Sequence, residues 1–140
     1  MIKIAIIGFG AIGKYVFDNL KKENIIISSL ICKNGREEVG RRALESNLEI
    51  CNSIEQFKDY PDLILDCAGH SSLKDYAPDF LLKGINFITL SSGALADDKL
   101  FNKIKKSEIK GKSKLIIAPG AIGSLDILTS AKNDEIFEVC

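Results

Sequence analysis

Three glycines stand at the spacing G-x-G-x-x-G near the start of the chain, Gly8, Gly10 and Gly13, directly after the apolar run Ile2-Lys-Ile-Ala-Ile-Ile7. This is what a strand-to-helix turn needs when an anion must lie against its backbone. The first glycine permits the tight turn, the second lets the backbone approach the anion, and the third lets helix and strand pack closely. The amides of the helix's first turn then hold the anion, because they lack partners inside the helix and lie at the positive end of its dipole. Val16 and Leu20 continue at helical spacing, so the context is strand, turn, helix. The chemistry predicted is the binding of a dinucleotide pyrophosphate.

Three further loop regions carry residues suited to the same ligand. About twenty residues beyond the glycines comes Cys32-Lys-Asn-Gly-Arg36, where an acidic side chain would bind a ribose 2′-hydroxyl. None is present, and Lys33, Asn34 and Arg36 suit a 2′-phosphate instead, which favours NADP or use of both nucleotides. The stretch Cys67-Ala-Gly-His-Ser-Ser72 offers small residues that let a cofactor reach the backbone, and its His70, the one histidine of the chain, is the candidate general acid or base. Leu90-Ser-Ser-Gly-Ala-Leu-Ala-Asp97 and Ala118-Pro-Gly-Ala-Ile-Gly-Ser-Leu-Asp126 can present amides and hydroxyls to a nicotinamide and a small substrate. No metal site or nucleophile triad is expected, since a second histidine is lacking. The four cysteines, Cys32, Cys51, Cys67 and Cys140, form no CxxC pair and read as reduced core thiols.

The elements that must position these loops follow from six strand-like runs, Ile2 to Ile7, Ile25 to Ile31, Leu48 to Cys51, Leu63 to Cys67, Asn86 to Leu90 and Leu115 to Ala118, alternating with helical segments. That alternation predicts an α/β fold, a Rossmann-type doubly wound parallel sheet of six strands. Ser53 with Gln56 resembles a capping box, Ser72 is a candidate helix cap, Gly84 a helix end, and Asp97 or Asp98 the cap of a helix reaching Lys106. Ser107 to Ser113 reads as a surface connection. Leu125 to Lys132 reads as a helix, and Glu135 to Cys140 begins an alternating strand with no partner. The expected division is a nucleotide-binding domain over 1–125 and the start of a second, catalytic and dimerising domain over 126–140, with more chain expected to follow. Net charge is zero, with 19 basic and 19 acidic residues, which gives no footprint for nucleic acid. With no leader segment and no apolar run of membrane-spanning length, a cytoplasmic location is expected.

Ile7-Gly-Phe-Gly-Ala-Ile-Gly13, Asp66-Cys-Ala-Gly-His70, Leu90-Ser-Ser-Gly-Ala-Leu-Ala-Asp97 and Pro119-Gly-Ala-Ile-Gly-Ser-Leu-Asp126 occur in an order and spacing that resembles the L-aspartate dehydrogenase family over essentially the whole chain. The resemblance implies oxidation of L-aspartate with NAD or NADP to iminoaspartate, which feeds NAD biosynthesis or hydrolyses to oxaloacetate and ammonia. It also implies a Rossmann domain followed by a domain carrying the substrate-binding residues, the catalytic histidine and much of a dimer interface. Carried onto this chain, it places Gly8, Gly10, Ala11, Ile12 and Gly13 around the pyrophosphate. Cys32, Lys33 and Asn34 fall near the adenosine ribose, Ala68, Gly69 and His70 against the cofactor, and Ser91 and Ala121 on the nicotinamide side. His70 thereby becomes a cofactor contact rather than the catalytic histidine, which has no counterpart here. Cys32 stands where some members carry the ribose-binding acid, and Ser124 replaces a usual glycine. The leading reading is a chain that binds cofactor without turnover, and the unpaired strand at Glu135 to Cys140 leads to the expectation of a homo-oligomer or of a partner completing that strand. Two other readings are a non-catalytic NAD(P)-binding module, and the cofactor domain of a homoserine dehydrogenase-like enzyme, which shares the opening glycine motif but not the Gly93-Ala-Leu-Ala-Asp97 and Pro119-Gly-Ala-Ile-Gly123 loops.

Overall fold

The computed structural model describes residues 1–20, 23–32 and 48–119. Strands β1 (Ile2–Ile7), β2 (Ile25–Ile31), β3 (Glu49–Cys51), β4 (Leu63–Asp66), β5 (Asn86–Thr89) and β6 (Leu115–Ile117) form one sheet. Its order is β3-β2-β1-β4-β5-β6 and every pairing is parallel. The chain order therefore reverses between β1 and β4, and the six-stranded doubly wound sheet expected from the alternation is present. The described helices are α1 (Ala11–Asn19), α2 (His70–Leu82) and α3 (Asp98–Gly111), with short 3-10 turns at Ile54–Gln56, between β3 and β4, and Ser92–Ala96, between β5 and α3.

The apolar residues towards the carboxyl ends of β1 and β2 and in β4 and β5 are largely buried on both faces of the sheet, because successive strand residues point to opposite sides and each side has helical cover, whereas Ile50 of β3 and Ile116 and Ile117 of β6, on the edge strands, are exposed. On one face Ala5, Ile7, Ile31, Ile64 and Phe87 pack with Leu73, Phe80 and Leu81 of α2 and Leu100 and Ile104 of α3. On the other, Ile6, Leu30 and Cys32 pack with Phe9 and with Val16 and Phe17 of α1. Phe9 meets Phe17 edge to face at 5.5 Å. That contact fixes α1 beside the glycine turn.

Several expected boundaries move. Helix α3 runs to Gly111, past Lys106, and takes in most of the stretch read as a surface connection. The reason is tertiary: Leu100, Ile104 and Ser107 share one buried helix face, and Ser113 is buried with its hydroxyl donating to the Leu81 carbonyl at 2.7 Å. Asp97 does cap α3, its carboxylate accepting from the amides of Lys99 and Leu100 at 2.9 and 3.3 Å. Ser72 does not cap α2, which starts at His70 behind Gly69; its hydroxyl is drawn instead to a buried carboxylate. Ser53 precedes only a single 3-10 turn without a side-chain cap, while Gln56 accepts from the Asn52 amide at 2.6 Å. Leu48, Cys67, Leu90 and Ala118 lie just outside the strands assigned to them. The expected helix at Leu125 to Lys132, the strand at Glu135 to Cys140 and the proposed second domain lie outside the described residues.

Candidate dinucleotide site

The carboxyl ends of β1, β2, β4 and β5 open at one edge of the sheet, and backbone hydrogen bonds continue one residue into the loops there. The Gly8 amide donates to the Ile31 carbonyl, the Cys67 amide to the Ile7 carbonyl and the Ala118 amide to the Thr89 carbonyl, each at 2.9 Å. The loops after β1 and β4 are thus anchored side by side at the reversal point.

Each glycine of the turn has its own physical setting. Gly8 has φ +84°, in the left-handed region that disfavours side chains, and a Cβ there would lie 2.6 Å from the Ala68 Cβ. A Cβ on Gly13 would come within 2.1 Å of the Gly8 carbonyl oxygen, so α1 and the turn approach as closely as backbone allows. Gly10 is exposed and has nothing within 4 Å of that position. It is the one glycine of the three whose bareness the protein's own packing does not require, and it leaves open the space a ligand would fill. Within α1 the Lys14 amide donates to the Gly10 carbonyl at 2.9 Å. The amides of Ala11, Ile12 and Gly13 precede that first rung, and the first turn carries no acidic residue to compete for them. The cradle fits a pyrophosphate.

Around it, Ala68 and His70 are exposed and Gly69 is half-buried. His70 opens α2 and its ring lies over the β5 loop, where a Cβ on Gly93 would be 3.0 Å from its Cε1. Ser91 is buried, with its amide donating to Thr89 Oγ1 at 3.0 Å. Cys32, also buried, donates its amide to the Cys51 carbonyl at 3.3 Å. Lys33, Asn34, Arg36, Ala121 and Ser124 lie outside the described residues. Burial pushes the Cys51 thiol up to about 11, with Glu49 adding to the effect. Burial likewise pushes the Cys67 thiol up to about 11, helped by the Asp66 carboxylate. Both are protonated at neutral pH and are poor nucleophiles.

Asp66, which opens one of the quoted motifs, has a part that the sequence did not assign to it. It ends β4, is 2% exposed, and accepts three hydrogen bonds. The Ala68 amide and Ser72 hydroxyl donate to Oδ1 at 3.1 and 2.5 Å, and the Thr89 hydroxyl donates to Oδ2 at 2.9 Å. It thereby ties the loop after β4 to the end of β5. The available signal was a carboxylate closing the otherwise apolar run Leu63-Ile-Leu65.

The family model described as "Homoserine dehydrogenase, NAD binding domain" matches residues 8–118. The chain belongs to this family. Its cofactor is accordingly a nicotinamide dinucleotide, NAD or NADP. Among the relatives of this NAD-binding domain, an L-aspartate dehydrogenase of Ruegeria pomeroyi is 35% identical over 130 residues, covering 93% of this chain and 46% of that protein. An L-aspartate dehydrogenase of Archaeoglobus fulgidus is 31% identical over 129 residues, covering 91% and 50%. The chain thus spans about half the length of the curated relatives it matches. The crystal structure of aspartate dehydrogenase from Thermotoga maritima has a TM-score of 0.66 at 24% identity, over 95% of this chain and 52% of that one, a likeness of fold. No helix among the described residues is long and apolar enough to cross a membrane, and none of their His, Cys, Asp and Glu side chains cluster in a way that could hold a metal ion.

Proposed function

We propose that this chain is the cofactor-binding part of an L-aspartate dehydrogenase that works in the cytoplasm. What carries the reading is that relatives bearing that name match nine-tenths of the chain at 31 to 35% identity, and the match takes in the loops around the glycine cradle.

In this reading Gly8, Gly10, Ala11, Ile12 and Gly13 hold the pyrophosphate on the first turn of α1. Cys32, Lys33 and Asn34 border the adenosine ribose, Ala68, Gly69 and His70 close over the middle of the cofactor, and Ser91 and Ala121 flank the nicotinamide. The bound nicotinamide supplies a hydride acceptor. This chain's contribution is orientation: it fixes one side of the ring so that the Cα–H of aspartate, held elsewhere, can approach the other. The amine of the substrate loses a proton as the imine forms, and hydrolysis then gives oxaloacetate and ammonia. The clamp for two substrate carboxylates and the general base belong to a second domain that begins near residue 126, which also makes the contact between subunits.

Calorimetric titration of the chain with NAD and with NADP, followed by L-aspartate addition and reading of reduced-nicotinamide absorbance, tests this. Binding without aspartate-dependent reduction is the expected result. Absence of binding overturns the cofactor assignment, and reduction by the chain alone overturns the division of labour. The family description favours one competing reading, a homoserine dehydrogenase. The chain joined to its remaining catalytic half would then reduce nicotinamide with homoserine and not with aspartate.

A further inference from the structure

The geometry points to the Asp66 carboxylate as the group by which this site discriminates between the redox forms of its cofactor, favouring the oxidised, cationic nicotinamide. The inference rests on the cofactor reading above and goes beyond it to the charge that the site presents.

Placement comes first. Asp66 pairs in register with Ile7, the last residue before the glycine turn, and neighbouring strands lie about 4.8 Å apart. A dinucleotide at such a reversal point spreads one mononucleotide over each half of the sheet. With the adenosine half over β2 and β3, the nicotinamide half covers the ends of β4 and β5. Those are the ends Asp66 joins, through Ala68 and Ser72 on one side and Thr89 on the other.

Charge comes second. The three donors to the carboxylate are an amide and two hydroxyls. They solvate it with dipoles, and among the described residues no basic side chain is bonded to it. A buried charge held by dipoles acts over a longer range than a screened surface one. The adenine, the riboses and the pyrophosphate carry the same charge in both redox forms, so any repulsion between Asp66 and the phosphates affects both equally. Only the nicotinamide ring changes, from cation to neutral. A unit charge about 10 Å from the ring would, at an effective dielectric constant near 20, alter the affinity ratio of the two forms by roughly tenfold. A role confined to holding the loops would weaken both forms alike.

The test is calorimetric titration of the chain with the oxidised and the reduced form of its preferred nucleotide. In Asp66→Asn and Asp66→Ser, the preference for the oxidised form should fall five- to tenfold. In Thr89→Val, which removes one loop tie and keeps the charge, both forms should weaken together with their ratio retained. An unchanged ratio in a folded neutral variant overturns the inference while leaving the cofactor reading intact; failure of the wild-type chain to bind either form overturns both. Should neither neutral variant fold, the wild-type chain decides. It should bind oxidised NAD about fivefold more tightly than the dinucleotide in which a neutral, planar benzamide replaces the nicotinamide, and equal affinities would refute a role for charge.

Discussion

Gly10 and Gly13 belong to one turn, yet their substitutions should fail in different ways. A methyl group on Gly13 meets the Gly8 carbonyl oxygen at 2.1 Å, so Gly13→Ala should destabilise the fold by about 2–3 kcal/mol through overpacking against backbone. Gly10→Ala meets nothing within 4 Å and should cost no more than about 1 kcal/mol at the helix cap, while weakening nucleotide binding by about tenfold or more. Paired urea denaturation and NAD titration separate the two effects. The thiols give a pH prediction. The folded value of Cys51, near 11, lies above its ordinary 9.0, so the folded state keeps a proton that the unfolded chain releases. The associated stability is fully present below pH 9 and is lost as pH rises towards 11, by about 1–2 kcal/mol. Urea midpoints across that interval should fall less steeply in Cys51→Ala. At this scale the glycines were legible because their spacing is local, whereas Asp66 was not. Its importance depends on Thr89, 23 residues away in sequence.

Among the elements, α3 is held at both ends by identifiable residues. Removing its cap by Asp97→Ala frees the amides of Lys99 and Leu100 and should cost about 1 kcal/mol. At the other end Lys112 adopts φ 54° in the left-handed region, which a Cβ disfavours. Lys112→Gly should therefore stabilise the protein by about 0.5–1 kcal/mol. Both changes can be read from denaturation midpoints in the absence of ligand. The cap was visible in the sequence because an Asp before a helical stretch acts within three residues. The length of α3 was not. The stretch from Ser107 to Ser113, with Lys110 and Lys112, reads as a surface connection, and only the burial of Ser107 and Ser113, the latter bonded to the Leu81 carbonyl, shows that its serines face inward.

For the whole molecule, occupancy of the site should stabilise the fold by mass action. Nucleotide at a hundred times its dissociation constant adds about 2.7 kcal/mol, so the melting temperature should rise by several degrees with NAD or NADP and not with adenosine alone at the same concentration. Differential scanning calorimetry across a concentration series measures this. It also ranks the two nucleotides, which Cys32 in place of an acid leaves open at the adenosine end. The alternation of strand and helix, the parallel sheet, the glycine cradle and the class of cofactor were determined by the sequence alone, because hydrophobic period and glycine spacing act over a few residues. The tertiary structure decided which loops meet. The Gly8–Ala68 contact, the His70 ring over Gly93 and the Asp66 bridge from β4 to β5 all join residues separated in sequence. Such contacts exist only once β1, β4 and β5 are neighbours, and strand order is a property of long-range pairing rather than of any local pattern.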